Sequence, residues 1–143
     1  MVTFGAWDLE GMAAGCARPT RILLVDDHPA VSQRIGELIA GAMPEAEMVS
    51  AMTGEEGLDL AWKQSFDLVL LDLRLPGRSG IEILKELRNS RPLLPVIIVS
   101  SLPESPYATL ARRAGAAGFV TKSALVQELG HAVRSVLSNA NMA

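Results

Sequence analysis

The sequence predicts a doubly wound α/β domain built on five parallel strands, a fold that would order them 2-1-3-4-5. Three observations predict it. Short runs of Leu, Ile and Val alternate with stretches of helical period from Arg21 onward. Aromatic residues make up only 4% of a chain that is 49% hydrophobic, the mix of a sheet covered on both faces. Polar residues, chiefly aspartates, close the apolar runs.

The first run, Ile22-Leu23-Leu24-Val25, is a strand, and Pro29 sits in the first turn of the helix after it. That helix places Val31, Ile35, Leu38 and Ile39 on one face and stops around Gly41. A weaker strand follows at Glu47-Met48-Val49-Ser50-Ala51. Thr53 opens the second helix, with Glu56 completing a capping box and Leu58, Ala61 and Trp62 as its buried stripe. Leu68-Val69-Leu70-Leu71 is the third strand, and Pro76-Gly77 marks a turn.

Ser79 and Glu82 form a second capping box before a helix carrying Ile83, Leu84 and Leu87, which Pro92 closes. Val96-Ile97-Ile98-Val99 is the fourth strand, and a short helix lies between Pro106 and Ala114. Gly118-Phe119-Val120 is a brief fifth strand. Ser123 then caps a last helix bearing Leu125, Leu129, Val133 and Leu137.

The 143 residues suffice for one domain, residues 20–139, between a loose N-terminal extension (1–19) and a short C-terminal tail (140–143). The net charge of −3 and pI of 5.4 argue against nucleic-acid binding, and the mean hydropathy of +0.26 argues against disorder. No apolar run approaches membrane-spanning length, so no membrane association is expected. One cysteine, Cys16, permits no internal disulfide and fits a cytoplasmic location. Ala13-Ala14-Gly15-Cys16 loosely resembles a lipoprotein cleavage box, but no Lys or Arg precedes it, and Asp8 and Glu10 interrupt the apolar stretch. With only His28 and His131, a zinc site is not expected, and both histidines read as surface residues. No strand is followed by GxGxxG or a P-loop.

What ends each strand is the informative pattern. The first ends in Asp26-Asp27, the third in Asp72, the fourth in Ser100-Ser101, and the fifth reaches Lys122 after Thr121. In a parallel sheet these ends share the carboxyl edge where ligands bind. Each residue alone reads as a helix cap or a surface group; together, three carboxylates, a hydroxyl and an ammonium converge on one shallow pocket. Three clustered carboxylates repel, which a divalent cation relieves, and oxygen ligands with room for water suit Mg2+.

The segments Val25-Asp26-Asp27-His28-Pro29, Leu71-Asp72-Leu73-Arg74-Leu75-Pro76-Gly77, Val99-Ser100-Ser101 and Gly115–Ser123 resemble the receiver domain of two-component response regulators, most closely the LuxR/NarL-type subgroup. The resemblance covers about 120 residues and implies a flavodoxin-like fold. It implies that Asp72 is the phosphoacceptor, with Mg2+ held by Asp26, Asp27, Asp72 and the Arg74 main-chain carbonyl. Lys122, Ser100 and the Ser101 N–H would contact the phosphoryl group, Ser100 and Phe119 would switch, and Arg74 and Leu102 would tune its lifetime.

The implied donor is a sensor histidine kinase or a histidine phosphotransfer protein. The implied output is a remodelled face of the fourth helix, fifth strand and fifth helix, through which a homodimer could form. Such a module is not a classical enzyme, although it assists its own phosphoryl transfer and autodephosphorylation. An aspartate-dependent phosphohydrolase would carry a second Asp two residues after Asp72, where this chain has Arg74. Because LuxR-type relatives append a helix-turn-helix domain, a second reading makes the chain the regulatory part of a LuxR-type transcription regulator; with only Arg134 basic after Lys122, that domain is not expected among these residues.

Overall fold

The computed structural model describes residues 18–142; Cys16 and most of the expected N-terminal extension lie outside the described residues. The chain alternates β1 (Arg21–Val25), α1 (Pro29–Ala42), β2 (Glu47–Ala51), α2 (Gly54–Lys63), β3 (Leu68–Leu71), α3 (Gly80–Ser90), β4 (Val96–Ser100), α4 (Glu104–Arg113), β5 (Gly118–Thr121) and α5 (Leu125–Met142). The five strands are parallel in the order β2-β1-β3-β4-β5, as the sequence predicts.

Successive side chains of a strand point to opposite faces, and the central strands are apolar on both, giving the sheet two cores. Leu23, Val25, Val69, Leu71, Val96 and Ile98 pack with Leu58 and Ala61 of α2, Ile83, Leu84 and Leu87 of α3, and Ala111 of α4. Ile22, Leu24, Leu68, Leu70, Ile97 and Val99 pack with Ile35 and Ile39 of α1 and Leu129 and Val133 of α5. The helical spacing of these residues is what aims them at the sheet.

The caps follow their chemistry. Ser79 and Glu82 form a full capping box at α3, with Ser79 Oγ accepting the Glu82 N–H at 3.3 Å and Glu82 Oε1 accepting the Ser79 N–H at 3.2 Å. At α2, Thr53 Oγ1 accepts the Glu56 N–H at 3.1 Å, but Glu56 reaches one residue further back, to the Met52 N–H at 3.0 Å. Ser123 does not cap α5. The chain enters that helix through a 3-10 turn, Lys122–Ala124, which takes Ser123 inside it, and Ser123 Oγ instead lies 3.3 Å from Thr121 Oγ1. Ser105 keeps an extended backbone (φ −95°, ψ 131°), so the regular part of α4 starts at Pro106.

Trp62 departs from the expected buried stripe. It is 47% exposed, and its indole N–H donates to Ser90 Oγ at 2.9 Å. The buried stripe of α2 is made of Gly54, Gly57, Leu58 and Ala61, small enough for the helix to lie close to the sheet. A bulky indole one position past Ala61 falls at the rim, where its N–H finds a partner. No helix among the described residues is long and apolar enough to cross a membrane.

Candidate functional site at the carboxyl edge of the sheet

The register builds the pocket. Val25 pairs with Leu71 across the β1–β3 ladder, so the next residues, Asp26 and Asp72, emerge side by side at the strand ends. Their N–H groups continue the ladder, donating to Ala51 O and Val25 O at 3.0 Å each, which fixes both Cα positions. Ser100 pairs with Thr121 across β4–β5, placing Lys122 just beyond the same edge. Behind Asp72 the start of α3 presses on the strand: a Cβ on Gly80 would sit 2.6 Å from Leu73 Cα, so glycine is required there. The turn at Pro76-Gly77 uses glycine for its positive φ, 82°.

Asp26 and Asp72 are buried to within 2% of full enclosure, and the Asp27 side chain is 32% exposed at the mouth. The Lys122 ammonium, on a side chain 12% exposed, lies 2.9 Å from Asp26 Oδ2 and donates to Asp72 Oδ2 at 3.0 Å. Its approach to Asp26 Oδ2 lacks hydrogen-bond alignment, so that oxygen is paired by charge alone, and Asp27 Oδ1 likewise has no hydrogen bond. Asp26 Oδ1 accepts the His28 N–H at 2.7 Å, and Asp72 Oδ1 accepts the Arg74 N–H at 3.1 Å.

These contacts oppose burial with unequal success. Burial pushes the Asp72 carboxyl up, helped by the Asp26 charge, and the Arg74 N–H and Lys122 only partly counter it, so Asp72 stands above the ordinary carboxylate range. Burial pushes Lys122 down, but Asp26 and Asp72 outweigh it and hold the ammonium above its ordinary value. Lys122 is therefore a fixed cation.

Asp26, Asp27, Asp72 and Lys122 thus meet as the sequence suggested. Arg74 is exposed and touches the centre through its backbone N–H. Ser100 is fully buried at the end of β4, with its hydroxyl accepting the Leu102 N–H at 3.0 Å, while Ser101 is exposed. Leu102, Tyr107 and Phe119 are partly buried against the Ile98 side of the sheet. His28 was read from sequence as a surface residue. Its side chain is 55% exposed, yet Nδ1 lies 3.0 Å from Asp26 Oδ1, 3.1 Å from Asp27 Oδ1 and 3.4 Å from Lys122 Nζ. The available signal was its place at the N-cap of α1 between Asp27 and Pro29.

The residues fit a hard divalent cation. Ligand atoms of Asp26, Asp27, His28 and Asp72 all lie within 4.8 Å of one another, and two buried carboxylate oxygens lack hydrogen bonds. A cleft of about 840 Å³ lies at the opposite end of the sheet, lined by Thr20, Asp67 and Pro95 just before β1, β3 and β4, with Trp62 and Leu93. It shares no residue with the acidic pocket.

A parallel doubly wound sheet with buried aspartates and a lysine at its carboxyl edge defines an α/β module of receiver type. The response regulator receiver domain model matches residues 22–134, and the chain belongs to that family. It is similar to response regulator GacA of Pseudomonas aeruginosa (36% identity over 118 residues, 82% of this chain and 55% of that protein). It is also similar to response regulator UvrY of Escherichia coli (32% identity, covering 82% and 54%). The chain therefore spans a little over half the length of these curated relatives.

Among solved structures it is similar to a LuxR-family two-component response regulator from Aurantimonas sp. (TM-score 0.79, 35% identity, covering 85% of this chain and 86% of that chain). It also resembles response regulator protein TrrA of Thermotoga maritima, solved in complex with Mg2+-BeF (TM-score 0.73, 31% identity, covering 82% and 98%). The chain is a receiver domain of a two-component response regulator.

Proposed function

We propose that this receiver, spanning residues 20–139, accepts a phosphoryl group on Asp72 from a sensor histidine kinase or a histidine phosphotransfer protein. The observation that carries the reading is Asp72 itself, buried beside Asp26 with Oδ2 3.0 Å from the Lys122 ammonium.

In this mechanism an Asp72 carboxylate oxygen attacks phosphorus, an O–P bond forms, and the donor's bond to phosphorus breaks, its electron pair leaving with the donor. Burial above the ordinary carboxylate range makes Asp72 a more basic nucleophile, while the Arg74 N–H at 3.1 Å and Lys122 orient it. Asp26, Asp27, Asp72 and the Arg74 main-chain carbonyl would hold Mg2+. When bound, the ion supplies charge neutralisation between the carboxylates and the incoming phosphoryl oxygens. Lys122 then shifts its ion pair onto a phosphoryl oxygen, and the Ser101 N–H adds a donor. Ser100 leaves the Leu102 N–H and turns its hydroxyl to the phosphoryl group.

The vacated corner lies beside Phe119, whose half-buried ring rotates inward and remodels the face of α4, β5 and α5. Two states shifted in population describe this output, and a homodimer through that face is its simplest readout. Arg74 and Leu102, two residues beyond Asp72 and Ser100, set access of water during autodephosphorylation. Such phosphoryl exchange with a kinase places the module in the cytoplasm.

A second reading follows from the coverage of about half of the relatives: the module is the regulatory half of a LuxR-type DNA-binding transcription regulator. Sequencing the reading frame beyond Ala143 tests it, because a helix-turn-helix region must follow.

For the main reading, the protein is incubated with Mg2+ and acetyl phosphate and its intact mass measured. Wild type gains one phosphoryl group and Asp72→Asn gains none. A wild type left unmodified by acetyl phosphate and by a cognate kinase overturns the assignment.

A further inference from the structure

We propose that the cleft at the opposite end of the sheet is a docking site for this chain's own residues 1–17, with Phe4, Trp7 and Leu9 seated on its apolar wall. The cleft shares no residue with the Asp72 pocket, and its occupancy is independent of the phosphoryl chemistry proposed above.

Three parts of the chain build the wall. The end of α2 contributes Ala61 and Trp62, the segment between α3 and β4 contributes Leu93 and Leu94, and the end of α5 contributes Leu137 and Ala140. Ala61 and Leu94 are buried, whereas Trp62 is 47% exposed and Leu93 91%. Pro92 and Pro95 bracket the leucines, and the Leu94 N–H donates to Arg91 O at 3.1 Å, so the segment that presents Leu93 is held in one shape. Large apolar side chains left in water around one concavity of about 840 Å³ mark a binding surface rather than scattered exposure.

The tether selects the occupant. Arg18 lines the cleft, and its guanidinium donates to both Asp67 carboxylate oxygens at 2.8 and 2.9 Å. Residue 17 is therefore joined to the chain at the cleft's own wall. Leu9 lies nine residues before Arg18, a reach of up to about 30 Å, and Gly11, Ala13, Ala14 and Gly15 between them put little bulk in the way of a chain reversal. A segment tethered this closely stands at about millimolar concentration over the cleft, so a contact too weak to form between separate molecules suffices.

Composition and charge point the same way. Phe4 and Trp7 are two of the chain's six aromatic residues (three Phe, two Trp, one Tyr), and segments that stay solvated are poor in aromatics. Asp8 and Glu10 alternate with Trp7 and Leu9, so an extended backbone turns the apolar pair to one side and the acidic pair to the other. Residues 1–17 contain no Lys or Arg. The cleft is the complement: Arg18, Lys63 and Arg91 line it against one carboxylate, Asp67. The Arg91 guanidinium donates to the main-chain carbonyls of Ser90 and Trp62, at 3.1 Å each, rather than to a carboxylate. Lys63 pairs with Asp59 in the open, where such a pair holds it weakly. An acidic segment bearing aromatic rings thus matches the cleft in both respects.

The two tryptophans report on the two sides of the contact. In full-length Trp62→Phe, Trp7 is the only indole and the cleft wall keeps a ring. Its quenching by acrylamide is compared with that of a synthetic peptide of residues 1–17. We expect Trp7 in the protein to be quenched about twofold less readily than in the peptide, as burial of an indole requires. Adding Leu93→Asp should return it to the peptide's level. Leu93 lies outside the core, and a thermal melt checks that the variant folds. In full-length Trp7→Phe, Trp62 is the reporter, and adding Phe4→Asp with Leu9→Asp should leave it more readily quenched.

Trp7 as accessible in the protein as in the peptide overturns the proposal, as does protection that survives Leu93→Asp. Protection that is lost on dilution, with a dimer seen by sedimentation, assigns the cleft to a second copy and overturns the intramolecular contact. Neither Mg2+ nor a phosphodonor enters the measurement, so its failure leaves the reading of Asp72 untouched.

Discussion

Removing the Lys122 ammonium probes the pocket's balance directly. In Lys122→Ala, Asp26 and Asp72, each 1% exposed, lose the cation at 2.9 and 3.0 Å. Breaking a buried pair by deleting one partner costs about 3–5 kcal/mol, because the remaining charge stays desolvated. Here the mouth is open at Asp27, whose side chain is 32% exposed, and water can reach the carboxylates. The lower bound, about 3 kcal/mol, is therefore the expected loss in metal-free buffer at pH 7. With an unfolding entropy of about 2.1 cal/mol/K per residue, that loss lowers Tm by about 11 °C for a domain of this size.

The loss must also depend on pH in a defined sense. Burial holds the Asp72 carboxyl above its ordinary range, and Lys122 is one of the groups opposing that rise, so the variant's Asp72 rises further. A folded-state pKa above the unfolded value of about 3.9 means the folded form binds the proton more readily. The variant therefore regains stability as pH falls through the folded value. Lys122 itself is held above 10.5, so its contribution in wild type is complete below 10.5 and lost as pH rises through its folded value. The wild-type-minus-variant gap is then largest near neutrality and closes on both sides. Urea unfolding followed by circular dichroism in EDTA, at a series of pH values, measures it. Equal stability at pH 7, or a gap that widens toward acid, would refute the pairing argument.

Two other perturbations test the frame around the pocket. Gly80→Ala places a Cβ 2.6 Å from Leu73 Cα and against the Asp72 carbonyl, so α3 must lift from the end of β3; urea unfolding should show a loss of about 3 kcal/mol. Asp67 accepts from Arg18 (2.8 and 2.9 Å) and from the Arg21 N–H (2.8 Å), and although burial pushes its carboxyl up, these partners hold it below the ordinary range. A lowered folded pKa gives stability that is present above the unfolded value and lost as pH falls through the folded one, so Asp67→Asn should lower the urea midpoint at pH 7 and match wild type in strong acid.

The central strands were legible because Leu68–Leu71 and Val96–Val99 are apolar at every position, which a sheet covered on both faces accommodates, while their order followed from the doubly wound class and not from the runs themselves. Asp26, Asp72 and Lys122 were legible because each ends a strand, and the parallel order then brings them to one edge. Less could be read where the outcome depended on a rotamer or a neighbouring loop. Trp62 continues the helical period of Leu58 and Ala61, but hydropathy does not say that the indole lies at the rim within reach of Ser90. His28 looked like any polar residue at a helix start, and only the unused cap geometry turns its ring toward the aspartates. Ser123 has the residue type of a cap, yet the 3-10 turn that delivers Lys122 to the pocket takes that position.

The pocket also accounts for where the chain keeps its charge. Of 16 acidic residues, three are Asp26, Asp27 and Asp72, and the 13 that remain equal the 13 basic ones, so the formal excess of −3 coincides with this one site. Lys122 is the only Lys or Arg paired with these three carboxylates among the described residues, leaving the site two charges short of neutrality. In the proposed function a divalent cation would supply that deficit, and a phosphoryl group, bringing about −1.5 to −2, would restore it. Lys122, held above its ordinary value, keeps its charge and is ion-paired with both buried aspartates through a single ammonium. In the proposed mechanism it would answer the new charge by moving, and because Lys122 directly follows β5, which carries Phe119, that movement would link charge at Asp72 to the packing of β5 against α4.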